Sequence, residues 1–217
     1  MSDIQFEGLT RRFGDRVVLA EASGHIQSGE FVVVLGRSGC GKSTLLNLLA
    51  GLDRPDQGRI RVSGHAFEAM DDRALTLLRR RRLGLIFQAY NLVPTLSVAE
   101  NVALPLELNG GADGQRVADW LTRVGLADFG DAMPDQLSGG EQQRVAVARA
   151  LVHEPEFIMA DEPTGNLDLA NAERVVALLD DLCREAGRTL LMVTHSQEVV
   201  GLADRLLTIR DGHLVVA

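Results

Sequence analysis

A glycine-rich loop at residues 36–43 constrains the fold of this chain more than any other feature. It fits the pattern of glycine, any four residues and Gly-Lys-Ser, and reads Gly36-Arg37-Ser38-Gly39-Cys40-Gly41-Lys42-Ser43. The all-apolar run Phe31–Leu35 precedes it, and a helical pattern follows it as far as Gly51. A strand, a loop and a helix in this order bind phosphate, because backbone N–H groups and a helix N-terminus converge on the anion.

Two side chains of the loop are candidates for direct chemistry. Lys42 is expected to contact the β- and γ-phosphates of a nucleotide, and the Ser43 hydroxyl is a candidate ligand of Mg²⁺. The alternative is a glycine-rich turn that happens to contain a lysine, and the flanking strand and helix argue against it. By itself the loop predicts only nucleotide binding, since kinases, GTPases and motor proteins share it. Residues 36–43 and Thr44 are therefore expected to contact the nucleotide.

A pair of acidic residues forms the second candidate site. Asp161 and Glu162 directly follow the apolar run Phe157–Ala160. Ligands of open α/β sheets bind at the carboxyl ends of strands, so both carboxylates are expected near the phosphate loop. Asp161 is predicted to hold Mg²⁺ through a water molecule, and Glu162 to orient and deprotonate an attacking water. Two solvated charges at a strand end are the alternative, and the phosphate loop makes the functional interpretation the better one.

Short apolar runs alternate with helical patterns along most of the chain. This alternation predicts an α/β fold with a largely parallel sheet. The predicted strands are Ile4–Leu9, Phe31–Leu35, Arg59–Val62, Leu83–Phe87, Phe157–Ala160, Thr189–Thr194 and Arg205–Ile209. The predicted helices are Lys42–Ala50, Asp71–Arg82, Arg116–Val124, Glu141–Val152 and Leu169–Glu185. Residues 89–151 lack a convincing strand and are predicted to form an inserted helical subdomain.

Composition bounds the partners and the compartment. The chain has 217 residues and a net charge of −8, which argues against bulk attraction to nucleic acid. No apolar run reaches the roughly 18 residues that suggest a membrane span. No secretory signal is visible at the start, and two cysteines are too few for a disulfide framework, so a reducing cytoplasm is expected.

The segment Leu137–Arg144 decides between the nucleotide-binding families. It reads Leu-Ser-Gly-Gly-Glu-Gln-Gln-Arg and resembles the signature motif of the ATP-binding-cassette (ABC) family. Ser138 can donate a hydroxyl, Gly139 and Gly140 can expose backbone N–H groups, and a helix is expected from about Glu141. Alone, the segment could be a capped helix after a loose turn. A generic phosphate-loop kinase would leave this segment unexplained.

The resemblance implies roles for several further residues. Gln88 resembles the glutamine that senses Mg²⁺ and the attacking water, and His195 resembles the switch histidine that contacts the γ-phosphate. The segment Gly165–Asp168 resembles the loop that joins two active sites. A lone histidine at a strand end is more often structural, and its position in Val-Thr-His after the acid pair favours function. Phe13 stands where the family usually places an aromatic ring to stack on adenine.

The resemblance covers residues 4–215 and implies one nucleotide-binding domain. It implies an α/β P-loop NTPase core at about 1–88 and 152–217, an N-terminal antiparallel β portion and a helical subdomain at about 89–151. It also implies ATP hydrolysis with Mg²⁺ in a head-to-tail homodimer, where the phosphate loop of one subunit faces Ser138 and Gly140 of the other. The predicted catalytic residues are Lys42, Gln88, Glu162 and His195, and the metal ligands are Ser43, Gln88 and Asp161.

Three longer segments resemble one bacterial branch, which includes lipoprotein-release, macrolide-export and cell-division ATPases. They are residues 87–94, 100–105 and 160–168. Tyr90–Leu96 is then predicted to line a groove for a membrane permease, although these residues could only pack the subdomain. The chain is expected at the cytoplasmic face of the inner membrane, held there by its partner. The Arg79–Arg82 run has no assigned role beyond a solvated helix face.

Two other classes remain as alternatives. A regulatory ATPase that gates a membrane partner without transport, as in cell division, is compatible with every motif. A cassette ATPase that acts on ribosomes or DNA fits less well, because such proteins usually carry two cassettes or a long coiled-coil insertion. No nucleic-acid partner is expected.

Overall fold

The computed structural model describes residues 3–111, 113–197 and 199–217, and in these residues ten strands form two sheets. The strands are β1 (Ile4–Phe13), β2 (Arg16–Ile26), β3 (Phe31–Leu35), β4 (Gln57–Val62), β5 (His65–Ala66), β6 (Leu83–Phe87), β7 (Phe157–Asp161), β8 (Thr189–Thr194), β9 (Arg205–Arg210) and β10 (His213–Val216).

The larger sheet carries the site. Its strand order is β10-β9-β3-β8-β7-β6, and every neighbouring pair is parallel except β9 and β10. All six residues of β8 are buried, as are the first four of β3 and of β7, because both faces of these strands are covered. Parallel strands bring their carboxyl ends to one edge, so the loops after β3, β6, β7 and β8 meet there.

The smaller sheet is antiparallel, with the order β2-β1-β4-β5. Its apolar face shares one hydrophobic cluster with the larger sheet and with the helix after β3. That cluster includes Phe6, Ile60, Val34, Leu46 and Phe157. The expected α/β class with a mainly parallel sheet and an N-terminal antiparallel portion is therefore confirmed.

Six α-helices complete the described part of the chain. They are α1 (Lys42–Leu49), α2 (Asp72–Arg82), α3 (Val98–Leu108), α4 (Gly114–Arg123), α5 (Gly139–Leu151) and α6 (Leu169–Glu185). Helices α3, α4 and α5 lie between β6 and β7, and no described residue between those two strands belongs to a strand. The division into a core and a helical subdomain at 89–151 stays a prediction. None of the described helices is long and apolar enough to cross a membrane.

Some boundaries differ from the sequence pattern. Helix α5 begins at Gly139 rather than at Glu141, because Ser138 caps it and the two glycines form its first turn. Strand β1 extends to Phe13 instead of ending at Leu9. Strand β2 and helix α3 were not predicted. In β2 the apolar and polar residues do not alternate regularly, because Glu21 has a positive φ and the pairing with β1 shifts register. In α3 the helical pattern is interrupted by Pro105.

A buried amide organises the connection from β6 to α3. Asn101 is 0% exposed, and its Oδ1 accepts a hydrogen bond from the Val93 N–H at 2.8 Å. Its Nδ2 donates to the carbonyl oxygens of Val93, Leu96 and Ser97 at 3.1, 3.0 and 2.9 Å. Buried backbone groups of an irregular segment need such partners, so Asn101 fixes the conformation of residues 93–97.

Replacing Asn101 with alanine is expected to lower the free energy of unfolding by about 2 kcal/mol, since buried backbone groups lose their partner. Urea unfolding followed by circular dichroism measures the change. Asn109→Ala is the matched control, because that amide donates two hydrogen bonds at the exposed end of α3. Equal losses of stability in the two variants would contradict a special role for Asn101.

The pH dependence of stability should carry a contribution from His153. Burial lowers its pKa from the ordinary 6.5, the positive charges of Arg188 and Arg116 act in the same direction, and the hydrogen bond of Nε2 to the Leu83 carbonyl oxygen opposes them. His153 therefore binds a proton near pH 6.5 in the unfolded chain, whereas in the folded chain it binds the proton only at lower pH. This contribution is present above pH 6.5 and is lost as the pH falls below it, at about 1.4 kcal/mol per pH unit at most.

Urea unfolding at pH 5.5 and pH 7.5 measures that loss. His153→Gln keeps a donor for the Leu83 carbonyl but does not titrate, so its stability should fall less between the two pH values than that of the natural chain. An identical fall in both proteins would refute the assignment to His153.

Candidate functional site

A cavity of about 670 Å³ opens at the carboxyl edge of the larger sheet. Elements of both sheets and the loops after β3, β6, β7 and β8 contribute to it. Its lining residues are Phe13, Arg16, Val18, Arg37, Ser38, Gly39, Gly41, Lys42, Ser43, Thr44, Gln88, Glu162 and His195. The structure thus brings together, in one cavity, eleven residues that the sequence singled out and two, Arg16 and Val18, that it did not.

The phosphate loop begins at the end of β3 and closes onto the start of α1. Gly41 is the N-cap of α1 at φ 110°, and a Cβ there would lie 3.0 Å from the Val18 carbonyl oxygen, so only glycine fits. No side chain caps α1, which leaves its first N–H groups available to an anion. Gly36 and Cys40 do not line the cavity; Cys40 packs against the core cluster beneath the loop.

Lys42 is held in place by the loop itself. Its side chain is 5% exposed, and its Nζ donates to the carbonyl oxygens of Gly36 and Arg37 at 2.8 and 3.2 Å. The same ammonium lies 3.1 Å from Oε1 of Glu162. A buried ammonium needs a counter-charge, and Glu162 supplies it from the loop after β7.

The Glu162 carboxylate joins three loops. Its Oε2 accepts hydrogen bonds from the Thr194 hydroxyl at 3.0 Å and from the His195 N–H at 3.1 Å, and it lies 2.8 Å from the Nδ1 of His195. The backbone at Glu162 has a positive φ of 46°, and its N–H donates to the Val193 carbonyl oxygen. The loops after β3, β7 and β8 are therefore connected through one side chain.

The two adjacent carboxyl groups have pKa values shifted in opposite directions. Burial alone would raise the pKa of Glu162, but hydrogen bonds from Lys42, His195 and Thr194 and the Lys42 charge outweigh it and lower that pKa. Burial raises the pKa of Asp161, and the negative charge of Glu162 adds to the effect against the opposing hydrogen bond from Ser43. Glu162 is the more firmly ionised group of the pair.

Ser43 and Asp161 are suited to a divalent cation. The Ser43 hydroxyl donates to Oδ1 of Asp161 at 2.9 Å. Neighbouring ligands of an octahedral Mg²⁺ at about 2.1 Å from the ion are about 3 Å apart, and Mg²⁺ prefers hydroxyl and carboxylate oxygens. A cation beside Asp161 would also favour the ionised carboxylate, whose pKa burial otherwise raises. These residues fit the metal predicted from the sequence.

Gln88 is tied to the loop after the acid pair. Its Nε2 donates to Oδ1 of Asn166 at 3.2 Å, and Nδ2 of Asn166 donates to the Gln88 carbonyl oxygen at 3.0 Å. Asp168 ends this loop as the N-cap of α6 and accepts from the Asn171 N–H at 3.0 Å. The loop 165–168 is thus fixed between Gln88 and α6.

The signature segment lies apart from the cavity. Ser138, Gly139, Gly140 and Glu141 do not belong to the cavity lining. Ser138 and Glu141 form a capping box in which both the Ser138 N–H and its hydroxyl donate to Glu141, at 2.8 and 2.6 Å. The hydroxyl bond is the largest cause of the lowered pKa of Glu141. One copy of the chain therefore does not bring Ser138 to its own phosphate loop.

Phe13 and two unpredicted residues complete the far wall of the cavity. Phe13 ends β1 and is 53% exposed, with Arg16 and Val18 beside it on β2. Arg16 donates to the Gly39 carbonyl oxygen at 2.9 Å, which connects the β1–β2 turn to the phosphate loop. Neither Arg16 nor Val18 stands in a local pattern. The only available signal was the four-residue spacing Phe-Gly-Asp-Arg, which implies a tight turn.

A partly buried arginine holds the segment after Gln88. Arg149, on α5, donates to the carbonyl oxygens of Asn91 and Tyr90 at 2.6 and 2.9 Å, and burial lowers its pKa. Tyr90 and Asn91 both have positive φ, at 60° and 51°, which costs free energy in residues other than glycine. A Cβ on Gly139 would lie 2.8 Å from the Tyr90 hydroxyl, so Tyr90 also lies against the start of α5.

Comparisons with known proteins agree on one family. Residues 19–165 match the model of a family described as "ABC transporter". A lipoprotein-releasing system ATP-binding protein LolD of Maricaulis maris is 44% identical over 223 residues, covering 99% of this chain and 97% of its own length. A macrolide export ATP-binding/permease protein MacB of Hyphomonas neptunium is also 44% identical, over 98% of this chain but 34% of its own length.

A solved structure is similar over almost the whole chain. It is the dimeric post-hydrolysis state of the ATP-binding cassette MJ0796 bound to ADP and Pi, with a TM-score of 0.89 and 37% identity, covering 97% of this chain and 96% of that one. The resemblance noted from the signature segment is thereby confirmed, together with its LolD and MacB branch. This chain belongs to the ABC transporter family and is one of its ATP-binding cassettes.

Proposed function

We propose that this chain hydrolyses ATP to ADP and phosphate at a site shared by two copies and so drives a separate membrane permease. The observation that carries the proposal is the Glu162 carboxylate, which lies between Lys42 of the phosphate loop and His195 in one cavity. A general base, a phosphate-binding cation and a hydrogen-bonding imidazole at one point suit the attack of water on a phosphoryl group.

Binding of ATP exchanges the partners of Lys42. The β- and γ-phosphates enter the loop 36–43, where the backbone N–H groups of α1 and the Lys42 ammonium donate hydrogen bonds to the phosphate oxygens. Lys42 then turns from Oε1 of Glu162 toward the phosphates, and the carboxylate loses the contact that most lowers its pKa. Its basicity rises as a result, so that Glu162 can take the proton of the attacking water.

His195 and Gln88 position the reactants in this proposal. The ring of His195 is exposed and lies beside Oε2 of Glu162. From this position it can donate a hydrogen bond to a γ-phosphate oxygen. Gln88 lines the same cavity and orients the water with its amide. Asp161, Ser43 and Gln88 would hold Mg²⁺, which supplies positive charge against the phosphate oxygens when it is bound.

The second half of the site comes from another copy of the chain. Ser138 is exposed at the start of α5, with Gly139 and Gly140 in the first turn, and forms an anion-binding helix N-terminus outside its own cavity. A head-to-tail homodimer would set this helix start opposite the γ-phosphate in the partner's loop. The similar cassette MJ0796 is a dimer bound to ADP and Pi, which supports a dimer for this chain.

Tyr90–Leu96 is the proposed contact with the permease, at the cytoplasmic face of the inner membrane. The names of LolD and MacB, a lipoprotein-releasing system protein and a macrolide export protein, support a membrane complex. Leu92, Val93 and Leu96 are partly exposed on a segment that Asn101 and Arg149 hold rigid, as a docking surface requires. Gating of a membrane partner without transport, as in cell division, is the second candidate and uses the same residues.

Glu162→Gln should lower ATP hydrolysis at least about 100-fold, because the variant loses its proton acceptor but keeps its shape. With Mg²⁺ and ATP present the variant should accumulate as a nucleotide-bound dimer. Phosphate release measures the first effect, and gel filtration with quantification of bound ATP measures the second.

Glu185→Gln is the matched control, since Glu185 pairs with Arg123 at the far end of α6. It should hydrolyse ATP at the natural rate and elute as the natural chain does. Glu162→Gln that stays monomeric with saturating ATP would count against the shared site, and unimpaired hydrolysis would count against Glu162 as the base.

Leu92→Asp should abolish stimulation of hydrolysis by the membrane protein that co-purifies with the chain, because a charge cannot be buried in an apolar contact. Hydrolysis without the membrane protein should be within about twofold of the natural rate. Leu108→Asp is the control, as Leu108 is 55% exposed at the end of α3 and lies outside the proposed contact. Undiminished stimulation in Leu92→Asp would rule out this docking surface.

A further inference from the structure

The ring of Phe13 contacts a cation that does not itself line the cavity. Arg11 stands two residues earlier on β1, so its side chain lies on the same face of the strand. Its guanidinium carbon is 4.9 Å from the centroid of the Phe13 ring, within the range of a cation–π contact. Phe13 lines the cavity, whereas Arg11 does not. One face of the ring is therefore covered by the guanidinium while the ring still borders the cavity.

Two carboxylates fix the guanidinium. Nη1 of Arg11 lies 3.0 Å from Oδ1 of Asp56, and Nη2 lies 2.9 Å from Oδ2 of Asp53. Asp56 is itself anchored to β1, because its Oδ2 accepts from the Arg12 N–H at 2.7 Å and its N–H donates to the Thr10 carbonyl oxygen at 2.9 Å. The Arg11 side chain is only 21% exposed, so its planar group has little freedom to leave the ring.

The anchor belongs to the segment that follows the helix of the phosphate loop. Asp53 lies four residues after the end of α1, and its N–H donates to the Asn47 carbonyl oxygen within that helix. A line of contacts therefore runs from α1 through Asp53 and Arg11 to the Phe13 ring. This line sets the ring at a fixed place relative to the loop that would hold the phosphates.

We propose that Arg11 is a positioning residue for nucleotide binding, which holds the Phe13 ring so that its other face stacks on the base. An exposed phenylalanine otherwise changes rotamer on the picosecond to nanosecond scale, and ordering it on binding costs affinity. Asp53 and Asp56 offset the charge of Arg11, so Arg11 is not expected to attract the phosphates. Its effect on binding instead passes through Phe13 to the base. The inference rests on the proposed function, because it requires Phe13 to contact the base.

A purely structural role for Arg11 makes a different prediction. If Arg11 only fastens β1 to the segment after α1, its loss disturbs the phosphate loop and weakens every ligand of that loop. If Arg11 acts through Phe13, its loss weakens only ligands that carry a base. ADP and pyrophosphate distinguish the two, since pyrophosphate has neither base nor ribose.

The experiment measures binding of ADP and of pyrophosphate by calorimetry to four proteins: the natural chain, Arg11→Met, Phe13→Ala and the double variant. Arg11→Met keeps an apolar stem and should weaken ADP about threefold to fivefold, in line with a cation–π contact. Pyrophosphate binding should be unchanged. In the Phe13→Ala background Arg11→Met should cause no further loss, because the residue through which it acts is absent.

Two controls keep the result interpretable. Arg12→Met removes the neighbouring arginine and should leave ADP affinity unchanged. Arg11→Lys keeps a charge that can pair with one carboxylate but lacks the planar fork, and it should weaken ADP less than Arg11→Met does. Thermal unfolding of each variant checks the fold, and Arg11→Lys provides the comparison if Arg11→Met is unstable.

Each outcome decides a separate point. Equal weakening of ADP and pyrophosphate by Arg11→Met would overturn the positioning role and assign Arg11 to the scaffold of the loop. Weaker ADP binding in Phe13→Ala but not in Arg11→Met or Arg11→Lys would overturn it while the base contact stands. An unchanged ADP affinity in Phe13→Ala would overturn both, whereas loss of pyrophosphate binding in Lys42→Ala would still support the proposed phosphate site.

Discussion

The carboxylate of Glu162 connects the ends of three neighbouring strands, and the geometry of the cavity depends on it. Oε1 pairs with Lys42 after β3, and Oε2 accepts from Thr194 and His195 at the end of β8. In a partly buried site neither the ammonium nor the carboxylate is stable without its counter-charge. In the order β3-β8-β7 the strand β8 lies between the other two, so a side chain after β7 can contact the end of β8 and the loop after β3.

Because of this ion pair, a bound phosphate would exchange places with Glu162 as the partner of Lys42. Phosphates that reach Lys42 must replace Glu162 as its partner, so part of the favourable electrostatic free energy goes into separating the pair. The same separation changes the pKa of the group proposed as the base. In the proposed function, phosphate binding and activation of Glu162 are thus two consequences of one contact, and neither requires a long-range displacement of the sheet.

Local sequence predicted the parts of this arrangement that depend on adjacent residues. The strands β3, β6 and β8 were predicted with the observed limits, because each is a short, almost wholly apolar run between polar segments. The placement of Lys42 near Glu162 followed from the phosphate loop and from the acid pair at a strand end, whereas Gln88 and His195 were singled out by their resemblance to residues of the ABC family. Contacts across the chain, such as Arg16 with Gly39 and Arg11 with Asp53, have no local pattern. They depend on register shifts between β1 and β2 and on the turn after α1, which only the folded structure contains.

The connection between the cavity and the helices rests on polar groups rather than on the apolar core. Tyr90 and Asn91 adopt a backbone conformation that costs about 1–3 kcal/mol per residue, and Arg149 of α5 stabilises it by binding both carbonyl oxygens. A strained segment held by a side chain of another element moves with that element. Helix α5 also carries Ser138 as its N-cap, so the segment after Gln88 and the signature segment are joined through one helix. If a partner binds Tyr90–Leu96 as proposed, a displacement there reaches both Gln88, proposed to orient the water, and the helix start at Ser138, proposed to bind an anion.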